Sequence, residues 1–214
     1  MITFAAQSTV MRKVSRLKRL WIWLSRCSHS RGFGVQSPWA YSFIRYVVSE
    51  HYPYYAYDEL CQRYAEADAV TRKLAEFYFR LANFRQPEVV ACYGATSPLY
   101  AAYMKRGCRK LRTVGVGSGS SVAAWRSRLL GLGRVDLLLL CADGRADAFV
   151  DALLPLADER LVLVVEEIGE SARARQLWQR IIDSDVAGVS FDLYYCGVVF
   201  FDRKMYKQQY VVNF

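Results

Sequence analysis

The sequence predicts an α/β chain: an open, mostly parallel sheet flanked by helices and ending in a C-terminal antiparallel hairpin. Three observations carry this. Four short, mainly apolar runs read as strands, Val89–Cys92, Leu111–Val116, Val135–Cys141 and Leu161–Val165, and the first lacks polar alternation, as expected of a strand covered on both faces. A stretch with helical spacing follows each run, and strands alternating with helices build parallel sheets. The last β-rich segment, Ser190–Asp202, holds two runs broken at Cys196-Gly197 with no helix between them, a hairpin that gives the sheet one reversed edge.

At 214 residues the chain suits one large domain with a small appendage. We divide it into a basic arm (1–30), a helical cap (31–86) and the α/β domain (87–214). Hydrophobic residues make up 53%, enough for a substantial core, yet no apolar run approaches the roughly 18 residues that cross a bilayer. The formal charge of +9 is unevenly placed: residues 1–50 hold eight Arg/Lys against the single acid Glu50. Within that arm, residues 11–26 have helical spacing. Val14, Leu17, Trp21 and Leu24 share one face, and Arg12, Lys13, Arg16, Lys18 and Arg19 lie largely on the others. The plainer reading packs this Trp/Leu stripe on the domain. The sharper one lays it on an anionic membrane surface or against an acidic partner. Nucleic acid is disfavoured as a partner, since no recognition motif accompanies the basic residues. The six cysteines are scattered, with no CxxC pair and no neighbouring histidine, and Cys92 and Cys141 fall inside strand-like runs. That pattern fits reduced thiols in a cytoplasmic protein better than zinc or disulfides.

Along the chain, Ser37-Pro38 opens a helix that turns Trp39, Phe43, Ile44 and Val47 inward. His51–Asp58 is an aromatic loop whose four tyrosines either lid a core or line a pocket mouth. Glu59–Gln86 has the rhythm of one long helix with Val70, Leu74, Phe77, Leu81 and Phe84 on its core face, stopped by Pro87. The unit that follows, Pro87–Gly107, organises the rest. Its strand turns at Gly94, Ser97 caps the next helix, Pro98 occupies the first helical position, and Gly107 ends the helix after Lys105 and Arg106. Such a unit directs free backbone N–H groups at the carboxyl end of a central strand, where nucleotide-like ligands bind. The second strand runs into GVGSGSS (115–121), followed by a helix to Leu130 with Val122, Trp125 and Leu129 inward. The third strand ends at Asp143-Gly144 and leads into a helix over Ala146–Leu156. The fourth ends at Glu166-Glu167, ahead of a helix over Ser171–Asp183 with Ala174, Leu177, Trp178 and Ile181 inward.

The segments RGFGVQSPWAYSFI (31–44), YYAYDEL (54–60), KLAEFYFRLANFRQPEVV (73–90) and FDLYYCGVVFFDRKMYKQQYVVNF (191–214) resemble small bacterial O-methyltransferase-like proteins of the class I S-adenosylmethionine-dependent methyltransferase superfamily. The resemblance implies a Rossmann-like sheet, S-adenosyl-L-methionine as cofactor and a small-molecule acceptor. It places the cofactor at Tyr93, Gly94, Thr96, Ser97, Gly115 and Gly117, with Asp143 added by an alternative register. The cofactor motif is degenerate. Where the family has an acid and a Gly-x-Gly loop, residues 91–96 keep only Gly94 and no acid, and the second strand ends without a carboxylate. One helix spans Ser120–Leu130 where the family has helix–strand–helix, so an edge strand is missing. An alternative register makes VGVGSGSS the cofactor loop and Asp143 the ribose acid.

Catechol-type members also hold a divalent metal on strand-end acids. The matching positions are Asp143, Glu166 and Glu167, but Arg145 and Gly169 replace the remaining ligands, and the plainer reading is solvated loop acids. His51, in the aromatic loop, is a candidate general base for a hydroxyl acceptor, although a lone histidine is more often a surface or hydrogen-bonded residue. No Asn/Asp-Pro-Pro-Tyr motif is present, which disfavours methylation of base amines. Two functions follow: a working O-directed methyltransferase, or a catalytically inactive methyltransferase-fold protein that serves as a binding module.

Overall fold

The structure, a computed structural model, describes residues 15–29, 32, 34–94, 97–116, 121–143 and 145–214. The four apolar runs form β1 (Val89–Tyr93), β2 (Arg112–Val116), β3 (Leu137–Cys141) and β4 (Val162–Glu166), all mutually parallel. β5 (Val189–Asp192), β6 (Cys196–Phe200) and β7 (Gln208–Val211) complete a sheet of order β2-β1-β3-β4-β6-β5-β7. The expected hairpin is β5–β6, but its reversed strand lies inside the sheet and not at its edge. β6 folds back between β4 and β5 and runs antiparallel to both. All five β6 residues are buried, as a strand between two others requires. The chain reverses at residues 193–195, with Tyr194 at a positive φ of 69°, so Cys196-Gly197 belongs to β6 and is not the break. The edge beyond β5 is β7, an element with no counterpart among the sequence expectations. It is largely exposed and polar and carries no apolar run to betray it.

The helices are α1 (Arg16–Ser25), α2 (Pro38–Phe43), α3 (Tyr55–Arg63), α4 (Ala69–Arg85), α5 (Pro98–Gly107), α6 (Val122–Gly131), α7 (Ala146–Leu153) and α8 (Ala172–Asp183). The expected long helix is two. Asp68 accepts the N–H groups of Val70 at 2.7 Å and Thr71 at 3.1 Å, so α4 starts afresh there. α3 absorbs Tyr55–Asp58 of the expected loop. Phe84 and Val122 are exposed, not inward, because each sits in the end turn of its helix. Gly107 does not take a left-handed end conformation. A Cβ there would lie 2.3 Å from the carbonyl oxygen of Phe79, so the glycine lets α5 press against α4. α6 runs straight from β2 to β3, which leaves β2 at the sheet margin, as the shortened connection implied.

Helices flank the sheet on both faces. On one, Phe43, Leu74, Phe77, Tyr78 and Tyr103 pack on Val90, Leu139, Val164, Phe191, Val198 and Phe200 of the strands. On the other, Trp125, Phe149, Leu177 and Trp178 pack on Ala91, Leu140, Val165 and Val199. At the amino edge, buried Asp136 accepts the N–H groups of Glu88 at 2.9 Å and Val89 at 3.1 Å and pairs with Arg134, tying β1 to β3. Burial works against its charge, but these donors hold its carboxyl below the usual range.

α1 overturns the plainer reading of the arm. Leu17, Leu20, Trp21 and Leu24 are 80%, 54%, 68% and 53% exposed, and Ile22 alone is buried. Val14 lies outside the described residues. The side turned to the domain is cationic. Lys18 pairs with Glu170 at 2.8 Å and Arg26 with Asp192 at 2.9 Å, and both cations lie over the Tyr194 ring. No helix among the described residues is long and apolar enough to cross a membrane.

Candidate functional site

The chain order turns at β1: β2 lies on one side of it, β3 and β4 on the other. Ligands of open α/β sheets bind at the carboxyl ends of the strands at such a switch point. The alternative register fails here. With β2 as first strand and β3 as second, the two would be neighbours, yet β1 pairs with both and separates them.

Gly94 follows the tip of β1 with a φ of +84°. A Cβ on it would meet the Cys141 Cβ at 2.9 Å and lie 4.0 Å from Asp143 Oδ2, so the turn after β1 approaches the end of β3 closely. Only glycine suits both the conformation and the contact. Asp143 spends its other oxygen on the loop itself: Oδ1 accepts the Arg145 N–H at 2.9 Å, just before α7. Ser97 is the N-cap residue of α5 and Pro98 follows at its first position; the Ser97 side chain makes no capping bond, and its carbonyl accepts the Tyr100 N–H at 3.0 Å.

The Tyr93 ring is buried at this end: it packs tilted against Phe149, ring centroids 4.1 Å apart, beside Trp125, within the core of the α6–α7 face. Burial and then Asp143 push its hydroxyl up, with Arg145 opposing. Gly115 pairs in register with Cys92 on the margin strand. Thr96 and Gly117 lie outside the described residues. The structure thus brings Gly94 and Asp143 together and packs the Tyr93 ring into the core beside them.

The expected metal ligands do not assemble. Among the described residues, no group of three or more His, Cys, Asp or Glu side chains is placed to hold a metal ion. Strand parity explains it. Glu166 shares a face with Val162 and Val164, and Tyr78 of α4 donates to its Oε1 at 3.1 Å deep inside the protein. Burial pushes the Glu166 carboxyl up to about 8, with Glu167 adding and the Tyr78 hydrogen bond opposing. Tyr100 of α5 packs edge-on against Tyr78 at 4.8 Å, and its hydroxyl is raised by burial and by Glu166. Glu167 turns away at a φ of 60°, and its N–H bonds the Tyr195 carbonyl at 2.7 Å.

Sequence reasoning misses Tyr78 and Tyr100. The available signal is a tyrosine beside the apolar positions of α4, because a buried hydroxyl needs a partner. Burial, with Glu166 next, pushes the Cys141 thiol up to about 12, which removes it as a nucleophile. His51 is exposed and sits apart, at a small cavity with Trp23, Lys73 and Phe214.

The enclosed antiparallel β6, the switch point at β1 and the glycine turn at its tip define the class: the chain has a mostly parallel, Rossmann-like α/β fold. Solved structures similar to it include the SAH-bound methyltransferase PaMTH1 of Podospora anserina, with a TM-score of 0.46 and 13% identity, covering 75% of this chain and 91% of that one. A methyltransferase from Geobacter sulfurreducens has a TM-score of 0.44 and 13% identity, covering 68% and 86%. The mitomycin 7-O-methyltransferase MmcR has a TM-score of 0.34 and 12% identity, covering 67% and 59%. No protein-family model and no curated protein matches the sequence.

Proposed function

We propose that the protein binds S-adenosyl-L-methionine at the carboxyl ends of β1 and β3 and transfers its methyl group to a hydroxyl of a small-molecule acceptor. The observation that carries this reading is the junction of Gly94 with Asp143 at the switch point. Backbone donors of Gly94 and Ser97 and the first turn of α5 suit the carboxylate tail of the cofactor. Asp143 Oδ2 supplies an acceptor for its nucleoside, and Tyr93 and Gly115 contribute backbone around it. When bound, the cofactor supplies an electrophilic methyl on sulfur, and the protein's task is to hold that carbon in line with the acceptor oxygen. A cytoplasmic location accords with the scattered cysteines and the lack of any CxxC pair in the sequence. No divalent metal enters this reading.

A second reading has its own support: a non-catalytic module on the same fold. β1 and β2 both end without a carboxylate, and Asp143 has one oxygen already committed. A ribose diol loses charge-assisted hydrogen bonds in such a setting, about 1.5–3 kcal/mol each. Titration calorimetry with S-adenosylmethionine and S-adenosylhomocysteine separates the readings. The first predicts saturable binding of both, with a raised melting temperature. No heat and no shift at millimolar ligand leaves the second.

A further inference from the structure

α1 presents an apolar arc that the described residues leave largely uncovered. Leu17, Leu20, Trp21 and Leu24 stand at the i, i+3, i+4, i+7 positions of one face and are all more than half exposed, as is Trp23 beside them, while Lys18, Ile22 and Arg26 face the domain. The helix is not loosely held. Lys18–Glu170, Arg26–Asp192 and the bond from Asn213 Nδ2 to the Trp23 carbonyl at 3.3 Å fix it with that arc outward. A cleft of about 360 Å³ opens beside it, lined by Arg16, Arg19, Lys73, Trp23, Tyr195 and Phe214 among others, with no acidic residue in the lining. The Lys73 ammonium lies 4.6 Å from the Phe214 ring centroid. Burial, then Arg19 and Arg80, lower its pKa, with only Glu76 opposing, so its surroundings favour an added anion.

We propose that α1 is a membrane-docking helix: it lays Leu17, Leu20, Trp21 and Leu24 into the interface of an anionic phospholipid bilayer while Arg16, Arg19 and Lys73 seat a lipid phosphate in the cleft beside it. Charge complementarity selects this occupant. The apolar arc is bordered by cations, the preceding arm adds Arg12 and Lys13, and the whole chain carries +9. Two copies meeting through this face would instead bring Arg16 and Arg19 against their equivalents. The inference stands apart from the methyltransferase reading and does not depend on a bound cofactor.

The test is sedimentation of the full chain with vesicles of phosphatidylcholine alone and of phosphatidylcholine mixed with phosphatidylglycerol, with size-exclusion light scattering in parallel. The wild type is expected to pellet with the anionic vesicles and only weakly with the neutral ones. Leu17→Ser combined with Trp21→Ser should lower partitioning roughly tenfold or more, since the lost insertion involves two large apolar groups. Arg19→Gln combined with Lys73→Met should reduce binding to anionic vesicles about tenfold and leave the neutral background unchanged. Unaltered melting temperatures in the first pair, whose side chains touch little, confirm that folding is not the cause. Three results overturn the proposal: no pelleting with anionic vesicles, undiminished pelleting of the L17S/W21S variant, or a dimer that the same double substitution dissolves.

Discussion

Tyr78 donates a hydrogen bond to Glu166 at 3.1 Å between α4 and the end of β4, with both side chains inside the core. A carboxyl expected at a metal site is instead an interior acid. Its pKa of about 8 makes the neutral form the folded form near neutral pH. In the unfolded chain the same group ionises near its ordinary 4.5. The stabilising difference is therefore complete below about 4.5 and is lost as pH rises through about 8. Glu166→Gln, which keeps an acceptor for Tyr78, should gain on the wild type as pH rises through this window, by about 3 kcal/mol near neutrality. Melting curves of both proteins across the window check it, and parallel curves would count against it.

Gly94 is held by conformation and by contact. Gly94→Ala meets a left-handed φ of +84° and a Cys141 Cβ 2.9 Å away. The variant should lose about 1–3 kcal/mol in chemical denaturation. Its affinity for S-adenosylhomocysteine should fall further than stability alone explains, because the turn moves off Asp143.

Asp136 at the opposite end of the strands carries no ligand role. Asp136→Ala leaves the Glu88 and Val89 N–H groups without their acceptor and should cost about 2–4 kcal/mol by urea unfolding, with cofactor affinity of the folded fraction unchanged.

The Arg26–Asp192 pair should make the seating of α1 acid-sensitive. Burial opposes the Asp192 charge, but Arg26 and Arg175 hold its carboxyl below the usual range. Its contribution is present above the unfolded carboxyl pKa and is lost as pH falls through the lower folded value. Limited proteolysis should therefore open the stretch after α1 only in acid. Arg26→Met should open it near neutrality as well, at a cost of about 1–2 kcal/mol.

The strands are the legible part of the sequence. A strand buried on both faces must be apolar throughout, so β1, β3 and β4 announce themselves. β7 is exposed and polar, and nothing in Gln208–Val211 separates it from a loop. The inward place of β6 is also hidden, because a hairpin pattern fixes the pairing of its two strands and not which of them joins the sheet. The stripe on α1 is legible as one face. Its direction is not, since periodicity says which residues lie together and not what they meet. At the site, Gly94 and Asp143 are legible and do come together. Glu166 is not, because a strand-end acid points to either face, and parity with Val162 and Val164 sends it toward Tyr78.

A ligand-binding end at the tips of β1 and β3 underlies the proposed methyl transfer. Hydrogen exchange of the full chain, with and without saturating S-adenosylhomocysteine, probes it with the fewest intermediate steps. Added protection is expected in the peptides spanning Tyr93–Ser97 and Asp143–Arg145, with the amino-edge amides around Asp136 unchanged. Identical exchange in both samples, or protection confined to other parts of the chain, would rule it out.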